Sequence, residues 1–283
     1  MTKFTSLNTT PGAIETLLKA SATSFKKAGK NLPNVGYSID SISIDPEQYQ
    51  GYCKMFGFNG KTVPSTYWFI RLFGVRTLLS AHPEAPFPMP GMVHLSNHIE
   101  QLEIIYPSET LRMECTFGKL LNHEKGTAFE SIVTLFKGSK VVFKETSVFL
   151  YLGKKGIGTD EVFNPSIDIT MPVETEKWEL PTNMGISYAK VSGDFNPIHL
   201  HTIGAKLFGF PKHLIHGWYS VSKTVARMQD KLSQPHELFV SFKKPLFLPG
   251  SVISRIHETN NEITFDLIDA KEGFPHMKGY LKF

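Results

Sequence analysis

The chain runs twice through one rhythm, a helical period followed by a strand period. "PSTYWFIRLFGVRTLL", Pro64 to Leu79, carries apolar residues at steps of three and four. So does "WYSVSKTVARMQDKL", Trp218 to Leu232, where Trp218, Val221, Ser222, Val225, Met228 and Leu232 fall along one stripe. Each pattern predicts a helix with one buried face. The period then changes to two: "TLRMECTF" sets Leu111, Met113, Cys115 and Phe117 against Arg112, Glu114 and Thr116, and "AFESIVTLF" and "VVFKETSVFLYL" continue as apolar strands. In the second half "ELFVSFKKPLFL", "SVISRIHE", "EITFDLI" and "HMKGYLKF" form the matching succession. Pro-led turns, "YPSETL" and "LPGSVI", punctuate both.

The repeat reaches upstream of each helix, where "YCKMFG" from Tyr52 and "YAKVSG" from Tyr188 share the frame Tyr-x-Lys-apolar-x-Gly. A helix followed by antiparallel strands is most simply buried by wrapping the sheet around the helix, which predicts an α+β fold built twice. The boundary is expected in "GKKGIGTDEVFNPSIDITMP", Gly153 to Pro172, a segment rich in Gly, Pro and polar residues without a period, giving domains of residues 1–155 and 156–283. Its glycines fall as G-x-x-G-x-G with no strand-to-helix context, so they form no dinucleotide fingerprint. From Pro11 a surface helix is predicted, with Leu17, Leu18, Ala22 and Phe25 at helical spacing.

With 41% hydrophobic and 20% charged residues over 283 positions, the composition is that of a globular protein. Its 22 phenylalanines require a broad core or an apolar cavity to line. The formal charge of +4, without a long Lys/Arg run, calls for no nucleic acid and suits phosphates on a small ligand or an acidic carrier protein. Only Cys53 and Cys115 are present, and Cys115 is on the inward face of a strand, so a reducing, cytoplasmic setting is expected. No apolar run is long enough for a signal peptide or a membrane span.

The chemistry concentrates in "SGDFNPIHLHTIGAKLFGFPKHLIHGWYS", Ser192 to Ser220. Asn196 is a preferred N-cap, Pro197 fits the first helical position, and His199 falls in the first turn of a helix expected to end at Gly209, before Pro211. Asp194 approaches the same space from the loop. The helix dipole disfavours protonated His199 while the carboxylate pulls the other way, and the pair can hold one water between them. Gly217 opens the second helix, where a backbone amide without an intrahelical acceptor can face a carbonyl oxygen that gains charge. Proton transfer beside a carbonyl is the chemistry implied. For a metal the spacing is poor: His199 and His201, two apart on a helix, point roughly 200° from each other, and there is neither an HExxH nor a Cys-rich pattern. His201 is expected to face solvent, His213 to lie in a loop, and His216 to be packed or hydrogen-bonded at a helix start. Neither Ser222 nor the cysteines are in a nucleophile's setting.

Tyr188, "SGDFNPIH" and "HGW" are similar to the hydratase 2 motif of the MaoC-like dehydratases, the (R)-specific enoyl-CoA hydratases. The chain as a whole resembles their two-domain members, in which one half keeps the motif and the other has lost it. This resemblance implies a double hot-dog fold, two antiparallel sheets each wrapped around a central helix. It implies that Asp194 and His199 are the catalytic pair, that Asn196 fixes their geometry, and that Gly217 N–H receives the thioester oxygen. The reaction implied is reversible syn addition of water to a trans-2-enoyl thioester of coenzyme A or acyl carrier protein, giving the (R)-3-hydroxyacyl product without metal or organic cofactor. Trp218 departs from the family, where a smaller residue such as methionine is common. In the first half Phe58 aligns with Asp194 and Val63 with His199, so that half is expected to be silent. Its aromatic residues, Phe56, Phe58, Tyr67, Trp68, Phe69 and Phe73, are expected to pack around an acyl chain. Hot-dog proteins also include thioesterases, and a non-catalytic acyl-thioester-binding subunit is the rival outside enzymes. Two such halves already form a pseudo-dimer, which allows a monomer or a homodimer.

Overall fold

A computed structural model describes residues 2–12, 15–16, 18–19, 22–25, 31–88, 92–153, 158, 160–169, 171 and 173–283. The first half comprises β1 (Lys3–Ser6), β2 (Val35–Ile42), α1 (Pro46–Phe56), α2 (Tyr67–Arg71), α3 (Phe73–Ser80), β3 (Val93–Gln101), β4 (Leu111–His123), β5 (Gly126–Lys137) and β6 (Lys140–Leu152). A short β7 (Asp160–Glu161) pairs with β4. The second half follows with β8 (Glu174–Leu180), α4 (Met184–Ser192), α5 (Pro197–Leu200), α6 (Thr202–Leu207), α7 (Gly217–Ala226), β9 (His236–Phe242), β10 (Gly250–Glu258), β11 (Glu262–Asp269) and β12 (Pro275–Lys282). Of the helix expected after Pro11, Leu17 lies outside the described residues, and Ala22–Phe25 forms a 3-10 helix. No helix among the described residues is long and apolar enough to cross a membrane.

This is the α+β fold built twice that the two periods predict and the double hot-dog that the resemblance implies, and the halves share one sheet. Their strands run in the order β1-β2-β4-β5-β6-β3-β9-β12-β11-β10-β8. The join is the antiparallel pair β3·β9, from Ser96 opposite Ser241 to Gln101 opposite His236. Each half would otherwise present an unpaired strand edge, and these two edges satisfy one another. β3 and β9 are each the first strand after their half's central helix, so the join is pseudo-symmetric.

The repeated frame has a backbone cause. Gly57 (φ 82°) and Gly193 (φ 77°) end α1 and α4 in the left-handed conformation, each donating its N–H to the helix's last turn, at Cys53 O and Ala189 O. The apolar stripe of the second half is buried as predicted: Trp218, Val221 and Val225 are at most 3% exposed. Three helices expected to be continuous are interrupted, and the one expected over Trp218 to Leu232 ends at Ala226 and is followed by a 3-10 helix, Gln229–Ser233. In the first half the break falls at Leu72 (φ −106°, ψ 11°), near where the backbone of Pro11 packs on Gly74 so closely that a Cβ there would lie 2.2 Å from the Pro11 carbonyl oxygen. In the second, His201 is extended (φ −155°, ψ 148°) and accepts from Ile203 N, capping α6 instead of continuing α5. The segment expected as a linker is tied down across the sheet: Ile167 is buried against Phe239 and Tyr280, Phe163 meets Phe239 edge-on, and Lys278 donates to Ile167 O.

Candidate active site

The loop between α4 and α5 orients its acid by local hydrogen bonds. Asp194 Oδ1 accepts from Asn196 N (3.1 Å), and Asn196 Oδ1 accepts from Ile198 N (3.3 Å) as the N-cap of α5. One carboxylate oxygen is thereby anchored and Oδ2 remains to act. His199, in the first turn, has Nδ1 2.8 Å from Leu214 O. A carbonyl can only accept, so Nδ1 carries the proton and Nε2 keeps a lone pair. His216, the N-cap of α7, donates from Nε2 to Asp194 O (2.9 Å) and stacks on His199 with ring centroids 3.8 Å apart. Donor atoms of Asp194, His199 and His216 all lie within 4.8 Å of one another. That separation accommodates one water bridging two groups through hydrogen bonds of about 2.8 Å each.

Burial sets the protonation states. It raises the Asp194 carboxyl above its usual range, against the pull of His199 and the Asn196 N–H, and lowers His199, against Asp194 and Leu214 O. It holds His216 well below the usual imidazole range. At neutral pH His199 is therefore a neutral base beside an acid that titrates high for an aspartate. Beside them, next in the chain to His216, α7 begins at Gly217, and its N-cap makes no side-chain hydrogen bond to the first-turn amides. A Cβ on Gly217 would come within 2.7 Å of the Phe242 ring, so only glycine allows this approach.

These groups line a cavity of about 940 Å³ between the halves. The second half contributes Asp194, Asn196, His199, His216, Gly217 and Trp218, and the first contributes Phe69, Phe73, Leu95, Phe149 and Leu150. Lys125, Lys243 and Lys244 also border it. All four predicted site residues, Asp194, Asn196, His199 and Gly217, are brought to one wall. At the matching positions of the first half Phe58 stacks on Tyr52 (5.5 Å, 9°) and Val63 is buried, so no proton-handling group is present there. The aromatic cluster divides: Phe69 and Phe73 reach the cavity, whereas Phe58, Tyr67 and Trp68 are buried in the core and Phe56 packs on Tyr188 and Tyr219. A 3.6 period marks buried positions without telling core from cavity.

Trp218 stacks on Phe69 (4.1 Å) and donates to Thr66 O (2.8 Å), so this departure ties the halves together at the cavity. His213 is buried, bridging Thr202 Oγ1 and Thr182 O at 2.9 Å each. The third donor, His216, is the one the histidine spacing did not join to the site. Gly185 was also missed: a Cβ there would lie 2.0 Å from His199 O, so α4 must be bare at this point for His199 to reach its place. Gly185→Ala is expected to push α5 outward and lower kcat by about 10²-fold, with the circular-dichroism spectrum retained; a variant of native activity would show that His199 is not positioned by this contact.

The fold and site define a double hot-dog protein in which, among the described residues, a carboxylate and two imidazoles meet beside a helix N-terminus. Residues 156–277 match the model of the MaoC like domain. The chain is 26% identical to 3-hydroxyacyl-thioester dehydratase X of Mycobacterium tuberculosis over 272 residues, 95% of this chain and 97% of that one. It superposes on the crystal structure of HtdX from M. tuberculosis with a TM-score of 0.74 at 25% identity, covering 87% of this chain and 98% of that one. A MaoC-like dehydratase from Phytophthora capsici shares the fold at 19% identity with a TM-score of 0.72, covering 90% and 96%. The chain thus carries a MaoC like domain in its second half and is similar along its length to two-domain MaoC-like dehydratases.

Proposed function

We propose that the protein is an (R)-specific 2-enoyl-thioester hydratase, equally a 3-hydroxyacyl-thioester dehydratase, with hot-dog domains at residues 1–155 and 156–283 and its site in the second. The observation that carries this reading is the convergence of Asp194 and His199, within 4.8 Å, on the cavity wall that α7 enters with Gly217. The relative named as a 3-hydroxyacyl-thioester dehydratase supports it.

In hydration the thioester oxygen accepts from Gly217 N–H at the positive end of α7, which favours the enolate charge that develops. A water held by Asp194 Oδ2 and His199 Nε2 attacks C3. Its oxygen bonds to C3, its proton passes to His199 Nε2, the π pair moves into the enolate, and the proton is returned to C2 from the same face. Asn196 holds Asp194 in place through its N–H. Dehydration is the reverse. The acyl chain extends between the halves, and Lys125, Lys243 and Lys244 at the border suit the phosphates of coenzyme A or of an acyl carrier's prosthetic arm. Free Cys53 and Cys115 support a cytoplasmic setting, and the pseudo-dimeric sheet supports a chain that works as a monomer or homodimer.

Incubation with crotonyl-CoA and with a long-chain enoyl-CoA tests the reading. Loss of the conjugated double bond with formation of the (R)-3-hydroxyacyl thioester is expected. Release of free thiol would indicate a thioesterase, and binding without turnover a carrier subunit. The mechanism routes no step through a metal, although Asp194, His199 and His216 form a donor trio. Dialysis against a chelator is expected to leave the hydration rate unchanged, and loss of rate restored by one metal would overturn this part.

A further inference from the structure

The short helix α6 is built inside out. Its small residues face the protein: Ala205 is fully buried, and a Cβ on Gly204 would lie 2.5 Å from Pro197 O, so α6 packs closely on the start of α5. Its large apolar residues face solvent instead, Ile203 at 68% exposure and Leu207 at 81%, with Phe208 just past the helix end at 40%. Ile203 and Leu207 are one turn apart, and Lys206 shares their side of the helix. Large apolar residues on a short helix ordinarily turn inward, and a face of them held outward by the helix's own packing marks a surface that another molecule covers.

The charge around this face has one sign. From Phe195 to Gln229 the chain contains no Asp or Glu. Of the cations in that stretch, Lys223 lies over the Trp178 ring and Arg227 pairs with Glu176, which leaves exposed Lys206 and Lys212 without an ion-pair partner among the described residues. The face also adjoins the cavity. Phe208 and Phe210 line it, and the antiparallel bridge between Leu214 and Phe247 lays the segment after α6 alongside the one that carries Lys243 and Lys244, which line it too. Three kinds of occupant bury such a face. A second copy of the chain in a two-fold pairing would set Lys206 and Lys212 against themselves. A lipid surface is a poor match for one and a half turns of helix, since stable attachment takes a longer amphipathic face or a second anchor. An acidic protein matches the lysines and the apolar strip together, and its position at the cavity makes it the one that brings the thioester.

We propose that the outer face of α6, Ile203, Lys206, Leu207 and Phe208 with Lys212, is the docking surface for an acidic acyl carrier protein. This deepens the reading of the cavity as a thioester site and rests on it. The strip is small, which suits a carrier that must leave after each turnover. Titration calorimetry of the full chain with an acidic bacterial acyl carrier protein, its prosthetic arm in place but carrying no acyl group, tests docking apart from chemistry. Saturable binding that weakens as salt rises is expected. It should weaken about tenfold in Leu207→Ser, and by as much in Lys206→Glu combined with Lys212→Glu. In Leu207→Ser, kcat/KM should fall about tenfold for crotonyl thioester on the carrier and stay within about twofold for crotonyl-CoA, which brings no protein to dock. No binding by the native chain, binding unchanged in the variants, or an equal loss on both thioesters overturns the proposal. So does sedimentation of the native chain with phosphatidylglycerol vesicles that Leu207→Ser abolishes, since the face would then be a membrane anchor. Hydration of crotonyl-CoA without carrier binding sinks this inference alone, and carrier binding without hydration of either thioester sinks the assigned reaction alone.

Discussion

Replacing His199 by alanine is expected to lower kcat for hydration by about 10³-fold while affinity for a saturated acyl-CoA changes little. The ring's Nδ1 is committed to Leu214 O at 2.8 Å, so Nε2 is the nitrogen left to take the water's proton. Loss of a positioned base typically costs between about 10² and 10⁴ in rate. Binding should persist, because the cavity is lined by both halves and the proposed mechanism gives the thioester oxygen to a backbone amide. A rise confined to KM would instead mean that His199 only shapes the pocket.

Asp194→Asn is expected to cost about 10²-fold or more in kcat and to change the shape of the acid limb. Two groups contribute to that limb in the native enzyme. Asp194 must be ionised, and its range is raised by burial; His199 must be neutral, and its range is lowered below 6.5 by burial. The rate of hydration therefore falls as pH drops through both, and the two titrate as a coupled pair. The asparagine variant loses one ionisation, so the limb should become shallower. It should also move to lower pH, because the carboxylate is what raises His199. A limb of unchanged slope and position would show that Asp194 does not titrate in the active form.

The geometry of the Asp194–His199 loop was legible because it is local. Asp194, Asn196, Pro197 and His199 span little more than one helical turn, and a cap, a missing N–H and a first-turn side chain follow from residue type alone. Gly217 was legible for the same reason, as the start of an apolar stripe. What stayed hidden depends on contacts between distant segments. His216 joins the site by donating to the carbonyl of Asp194, and Gly185 matters because the backbone of His199 packs on it. Neither contact leaves a trace in a period. The split at His201 was masked because an extended histidine can cap the next helix with its own ring. Edge pairing of β3 with β9 was likewise invisible, since alternation tells which face is buried and not which strand lies alongside.

One water, held on one face of the substrate by both Asp194 and His199, is the claim on which the mechanism stands. Hydration of crotonyl-CoA in heavy water tests it, with the relative configuration at C2 and C3 of the product read by nuclear magnetic resonance. The account predicts a single diastereomer with the deuterium at C2 and the hydroxyl at C3 delivered to the same face. Delivery to opposite faces, or a mixture of the two diastereomers formed directly by the enzyme, would contradict it.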